Sequence, residues 1–272
     1  MRIAVVAPSS RFSEEAAARV REIAAARHPE VEIHFHPQCF LTHNHFAGAD
    51  AERIAALVEV ANDPGFDAIW FARGGYGACR VAEEALSRLG EAARRKAWLG
   101  FSDAGYLLAG LYRAGFPDLA HGPMLQDVMR DGGEAAVARA LGWLVKRDAD
   151  ALEPHLALGD LHAAFNLTVF SQLLGTALEP NLGDHVLLLE EVSEQMYRVD
   201  RSFCHVTGQA SVRRVAGIRL GRVSDVPPNN PDFGEGEERI ARLWCERAGI
   251  AFLGRADIGH DSANRVVPFG RF

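Results

Sequence analysis

The chain of 272 residues has very little lysine. Apart from Lys96 and Lys146 its positive charge is all arginine, scattered singly along the sequence. With 29 basic against 36 acidic side chains the formal net charge is −7. The electrostatic footprint of a nucleic-acid or membrane-surface binder is therefore missing, and an uncharged or zwitterionic small substrate is easier to accommodate. Cysteine is also scarce. Cys39, Cys79, Cys204 and Cys245 lie far apart, with no Cys-x-x-Cys and no Cys/His ligand spacing, which speaks against a structural zinc or a disulfide framework and fits a reducing compartment. No metal or cofactor is called for. Long apolar runs are absent too: none approaches the roughly 18 residues of a membrane span. The opening run Ile3–Ala7 is too short for the core of a secretion signal and ends in the turn dipeptide Pro8-Ser9, so it reads as a first strand rather than a leader, and the cytoplasm is the expected location. No repeat or low-complexity tract is visible.

What is present is an ordinary folded composition, 48% hydrophobic and 24% charged. In the first half, short apolar runs alternate with Ala-rich helical segments, the pattern of βαβ units around a mostly parallel sheet of Rossmann or flavodoxin-like type. Strands are expected at Ile3–Ala7, Val31–His36, Asp67–Ala72 and Ala97–Gly100, with helices at Glu14–Arg27 (capped by Ser13), Asp50–Asn62, Val81–Leu89, Ala104–Ala114 and Gly133–Lys146. The charged, turn-forming stretch Arg147–Pro154 marks a boundary between domains at 1–148 and 155–272. The second half reads as a smaller α+β domain. Its helices are expected at Asn166–Leu174, Tyr197–Gly208 and Glu235–Ala248, and its strands at His185–Leu189, Arg214–Val223 and Ile250–Gly254.

In open α/β sheets ligands bind beyond the carboxyl ends of the strands, which singles out Arg73-Gly74-Gly75-Tyr76-Gly77 and Ser102-Asp103. Ser102, between a strand end and a helix start, either caps the helix or is exposed as a nucleophile on a sharp turn. The glycine loop either makes a tight turn or presents bare amides to an anion; it lacks the spacing of either nucleotide-binding fingerprint. A serine nucleophile needs a base, and the base an orienting acid. Of the 11 histidines, those at 28, 34, 36, 43 and 45 sit in polar surroundings. His260, in a loop after the last strand, competes with His121, which precedes Gly122-Pro123. Glu190 and Glu191 close an apolar strand, where a carboxylate is either paired or turned to water.

Taken in order, these pieces resemble the LD-carboxypeptidases, serine peptidases of murein recycling also called muramoyltetrapeptide carboxypeptidases. The likeness runs from Ala7-Pro8-Ser9 through Phe46-Ala47-Gly48, Glu52-Arg53, Arg73–Ala78 with Arg80, Gly100–Asp103 and His121–Met124. It continues through Leu187–Glu190, Tyr197–Arg201, the Pro-Asn loop with Phe233-Gly234, and Gly259-His260 with Asn264, Pro268 and Gly270. The resemblance implies that Ser102 is the nucleophile, His260 the base and Glu190 the acid, brought together from the two domains. It places the oxyanion on the backbone amides of Asp103 and of Gly74 or Gly75. The implied reaction is hydrolysis of the amide between the L-centre of diaminopimelate or lysine and a terminal D-alanine, by a homodimer acting on a small muropeptide. Arg73 is the candidate partner for the terminal carboxylate, with Tyr76, His121 and Asn166 as further substrate contacts.

Two departures stand out. Ala164-Phe165 precedes Asn166 where members often carry Gly-Gly, which is expected to reshape the pocket wall, and the chain ends at Phe272 where relatives usually continue through another strand, which is expected to alter stability or dimer contacts there. Two other readings are an amide hydrolase similar to the microcin-immunity peptidases, acting on a peptidyl-nucleotide, and a non-catalytic muropeptide-binding protein. The first is disfavoured by the lack of an insertion to grip a nucleotide, the second by the joint presence of Ser102, Glu190 and His260.

Overall fold

A computed structural model describes residues 1–271. The first half forms β1 (Arg2–Val6), α1 (Glu14–Arg27), β2 (Glu32–Phe35), α2 (Asp50–Asn62), β3 (Ala68–Phe71), α3 (Ala78–Ser87), α4 (Glu91–Arg94), β4 (Ala97–Gly100), α5 (Gly105–Arg113), β5 (Leu119–His121) and α6 (Gly133–Lys146). The second forms β6 (Leu161–Asn166), α7 (Leu167–Leu173), β7 (His185–Val192), α8 (Met196–Gly208), β8 (Gly217–Ser224), α9 (Glu237–Ala248), β9 (Phe252–Arg255), β10 (Val267–Pro268) and β11 (Gly270–Arg271).

Strands β3 and β4, apolar at every position, are buried along their whole length, as a parallel sheet covered on both faces requires. β1 pairs in parallel with β2 on one side and β3 on the other, and the sheet runs β10-β5-β4-β3-β1-β2. Its β2-β1-β3-β4-β5 part is a doubly wound order, with the reversal between β1 and β3. There the connections leave the sheet in opposite directions, and a crevice opens at the carboxyl ends. Ser13 caps α1 as expected, its hydroxyl accepting from the Ala16 amide at 3.1 Å.

The second half is more regular than an α+β domain. β6, β7, β8 and β9 pair in parallel in a sheet ordered β11-β6-β7-β8-β9, with helices as the crossovers, and only β11 runs antiparallel. β6 carried no strand signal because His162 and Asn166 interrupt an Ala-rich stretch, yet both are buried. After the His260 loop the chain returns to the first half. β10 pairs antiparallel with β5, so the sixth strand of the first sheet comes from the far end of the sequence. One apolar cluster spans both halves, joining Phe101, Leu107 and Met124 to Phe165, Phe170, Leu189 and Phe269. Among the described residues no helix is long and apolar enough to cross a membrane.

Candidate active site

β4 ends at Gly100, where a Cβ would lie 2.7 Å from the Phe71 ring, so only glycine lets the strand turn there. Phe101 is extended and Ser102 takes φ 57°, in the left-handed region that a side chain rarely adopts. Such a residue costs about 1–3 kcal/mol and persists only where its surroundings over-determine it. Here the Phe101 ring is wedged between His121 and His260, with centroids 5.5 and 4.7 Å away. The turn aims the Ser102 hydroxyl out of the sheet. It caps no helix; its Oγ lies 3.0 Å from His260 Nε2.

His260 sits in the loop after β9, and its backbone is fixed from the other half: Arg130 Nη1 donates to the His260 carbonyl at 2.7 Å. Its Nδ1 lies 2.6 Å from Glu190 Oε2. Glu190 is 0% exposed at the end of β7, and Gly221 on β8 makes room for it, since a Cβ at 221 would fall 2.8 Å from Glu190 Cβ. Glu190 Oε1 is buried with no hydrogen-bond partner among the described residues, which leaves the imidazole as the group compensating the charge. Burial of the ring opposes its protonation, but the Glu190 charge and hydrogen bond, helped by Asp127, outweigh it and hold the His260 pKa above the ordinary histidine value.

Of the two candidate acids, strand alternation sends Glu191 the other way. Its carboxylate accepts from Asn166 Nδ2 and from the Thr168 and Val192 amides, each at 2.8 Å, and burial raises its pKa. It serves the start of α7, where a helix favours negative charge.

The glycine loop lies against Ser102. A Cβ on Gly74 would be 2.9 Å from Ser102 Oγ, and Gly75 takes φ 108°. No intramolecular hydrogen bond among the described residues uses the Gly75 amide. Two hollows meet at Gly75, Ser102 and Val192. One, of about 480 Å³, is lined by Arg73, Gln126, Arg130 and His260, among others. The other, of about 590 Å³, is lined by Tyr76, Tyr106, Asn166, Glu191 and Glu194.

The remaining expected site residues divide. Arg73 lines the first hollow, with Nη1 donating to the Arg11 carbonyl at 3.0 Å. Tyr76, 52% exposed, stands at the second. Asn166 lines it as well, but its amide is taken up by Glu191 and by capping α7 at the Val169 amide. His121 is corrected as a lining residue: it is 1% exposed behind Phe101 and lines neither hollow, and burial drives its pKa down to about 4. The expectation for Ala164 and Phe165 is corrected too. Both are buried in the core and neither lines the two hollows. Arg130 and Gly221 escaped the sequence reading, because what each does depends on segments far along the chain. Among the described residues no cluster of three or more His, Cys, Asp or Glu could hold a metal ion.

A doubly wound sheet that presents serine, imidazole and carboxylate in hydrogen-bonded sequence at a two-lobed cleft defines a hydrolase of serine type. The chain belongs to the LD-carboxypeptidase family: residues 3–122 match its N-terminal domain and residues 163–272 its C-terminal domain. It is 26% identical over 292 aligned positions to the murein tetrapeptide carboxypeptidase of Pseudomonas aeruginosa, covering 99% of this chain and 91% of that one. The crystal structure of muramoyltetrapeptide carboxypeptidase from Oxalobacter formigenes superposes with a TM-score of 0.81 at 20% identity, over 99% of this chain and 93% of the other. The microcin C7 self-immunity protein MccF, in complex with aspartyl sulfamoyl adenosine, superposes equally well (TM-score 0.81, 16% identity, 99% and 91% covered). At these identities the two superpositions establish the fold alone.

Proposed function

We propose that this protein removes the terminal D-alanine from murein tetrapeptides by hydrolysing the amide that follows an L-centre, in the cytoplasm, as a step of cell-wall recycling. The observation that carries the chemistry is the uninterrupted run Ser102 Oγ, His260 Nε2, His260 Nδ1, Glu190 Oε2, with separations of 3.0 and 2.6 Å. His260 Nε2 takes the hydroxyl proton as Ser102 Oγ attacks the carbonyl carbon. Glu190 accepts the Nδ1 proton's hydrogen bond, fixes the tautomer and stabilises the imidazolium. The negative oxygen of the tetrahedral intermediate is held by the amides of Asp103 and Gly75, with Gly74 bare so that the loop can approach. Removing one such donor costs about 3–4 kcal/mol of barrier elsewhere. The C–N bond then breaks, the amine leaves with the proton from His260, and a water activated by His260 releases the acyl group from Ser102.

The two hollows support the direction of binding. Arg73 and Arg130 beside the nucleophile suit a short terminal carboxylate, and the second hollow, with Glu191 and Glu194, suits the acyl side bearing an amine. The likeness to MccF keeps a second substrate class, an aminoacyl-nucleotide amide, in view. A substrate panel separates them. An L-D tetrapeptide, its L-L isomer and an aminoacyl sulfamoyl nucleoside are each incubated with the enzyme, and the products are quantified. The reading predicts D-alanine from the L-D tetrapeptide alone; cleavage of the nucleoside conjugate without D-alanine release overturns it.

A further inference from the structure

The side chain of Asp103 takes no part in the relay just described, yet it is 2% exposed and adjoins the nucleophile. Its Oδ2 accepts from Ser9 Oγ at 2.5 Å and from the Ala78 amide at 2.8 Å. Burial pushes this carboxyl above the ordinary range, with the Ser9 and Ala78 hydrogen bonds pulling against it. A buried carboxylate is costly unless its partners compensate, and here they come from two separate loops. Ser9 follows β1, and Ala78 opens α3 directly after the glycine loop.

The surroundings leave that loop little freedom. Arg53, also buried, donates to the carbonyls of Pro8 and of Gly77, the latter at 2.9 Å. The Ser10 amide donates to the Gly74 carbonyl at 3.3 Å. The Gly74-Gly75 turn is confined on both sides: a Cβ on Gly75 would meet Ser10 Oγ at 2.2 Å, and a Cβ on Gly74 would meet Ser102 Oγ at 2.9 Å. The direction of the Gly75 N–H is thus set by where Ser9-Ser10 on one side and Ala78 on the other are held, and one carboxylate oxygen holds both.

We propose that the Asp103 carboxylate is a positioning residue that locks the glycine loop in its oxyanion-binding geometry. Residue 103 then serves the site twice, through its amide on the oxyanion and through its side chain on the loop that supplies the second donor. The inference rests on the reading of Ser102 as nucleophile. A merely structural role would lower stability and leave the folded enzyme's turnover intact, whereas positioning shows in the steps that build charge on the oxygen.

A fluorophosphonate probe reads those steps without any peptide. Ser102 Oγ bonds to phosphorus as the P–F bond breaks, fluoride leaves, the hydroxyl proton passes to His260, and the phosphoryl oxygen occupies the oxyanion position. Labelling rates per folded molecule, with kcat and KM for D-alanine release, are compared for wild type, Asp103→Ala, Asp103→Asn and Ser9→Ala. Asp103→Ala should slow labelling and lower kcat by about 100-fold, the scale of a lost oxyanion donor, with KM within about threefold. Ser9→Ala, which removes one tie and keeps the other, should lose roughly 3–10-fold by the same measure. Asp103→Asn retains an acceptor oxygen for both donors and should stay within about tenfold of wild type. Folded Asp103→Ala labelling at the wild-type rate overturns the inference; should that variant not fold, Ser9→Ala at the wild-type rate does so, as does Asn failing as badly as Ala. A wild type that labels but releases no D-alanine overturns the substrate reading alone, and the labelling series still decides the role of Asp103. A wild type that does not label overturns both.

Discussion

His260 is held above the ordinary histidine pKa against the effect of its own burial, because the charge and hydrogen bond of the buried Glu190, with Asp127 nearby, favour the protonated ring. The sign of the pH dependence follows. In the proposed mechanism His260 must be unprotonated to take the serine proton, so kcat/KM should rise with pH along an acid limb centred above about 6.5, the unperturbed value. The same raised pKa adds stability that is fully present below about 6.5 and is lost as pH climbs through the folded value. In Glu190→Gln the burial remains and the attracting charge is gone. Its acid limb should move to lower pH while kcat drops by about 10²–10⁴-fold, as when a triad carboxylate is neutralised. A pH-rate profile settles it: an unmoved limb with near-normal turnover in Glu190→Gln would mean that Glu190 does not face the working imidazole.

At the scale of elements, the site depends on how closely two strands approach. Gly221 on β8 lies where a Cβ would be 2.8 Å from both Glu190 Cβ and the Ile258 carbonyl, so Gly221→Ala must push β7 or the His260 loop aside. Overpacking of this kind costs about 1–3 kcal/mol, and the predicted outcome is a kcat reduced by at least about tenfold along with a lower Tm. Gly208, at the end of α8 with open space around it, is the control, and Gly208→Ala should match wild type in steady-state kinetics. Much of this level was legible. The buried strands before Gly74 and Ser102 announce themselves as uniform apolar runs between turn residues, and the helices follow from their caps and spacing. β6 was not legible, because its polar His162 and Asn166 are buried by the sheet formed around them and not by any local pattern. Nor could the local sequence choose between Glu190 and Glu191; that depends on which face of the sheet turns toward the His260 loop and which toward the start of α7.

At the scale of the molecule, Ser102 follows a strand of the first sheet while Glu190 and His260 belong to the second half, so the hydrogen-bonded run through these three side chains depends on how firmly the halves are joined. β10 completes the first sheet, and Arg139 on α6 donates to the Ser262 and Asn264 carbonyls at 2.5 and 3.2 Å, pinning the segment that follows His260. Losing hydrogen bonds from a charged, half-buried group costs about 1–3 kcal/mol. Arg139→Ala should therefore lower Tm by several degrees and kcat in parallel, with unfolding still a single transition by calorimetry. Two transitions would mean that the halves fold independently and that the shared strand does not couple them. The resemblance in the sequence implies a site between the two halves; the hydrogen bonds that join them, Arg130 to His260 and Arg139 to the loop beyond, link positions more than a hundred residues apart and left no local trace.

The most direct test of the whole account is D-alanine release from a purified L-D tetrapeptide by the intact enzyme and by Ser102→Ala, each with and without a metal chelator. Release should survive the chelator and fall by about 10⁴-fold or more in Ser102→Ala, the scale of losing a serine nucleophile. Release that persists in a folded Ser102→Ala, or that the chelator abolishes in the intact enzyme, would contradict it.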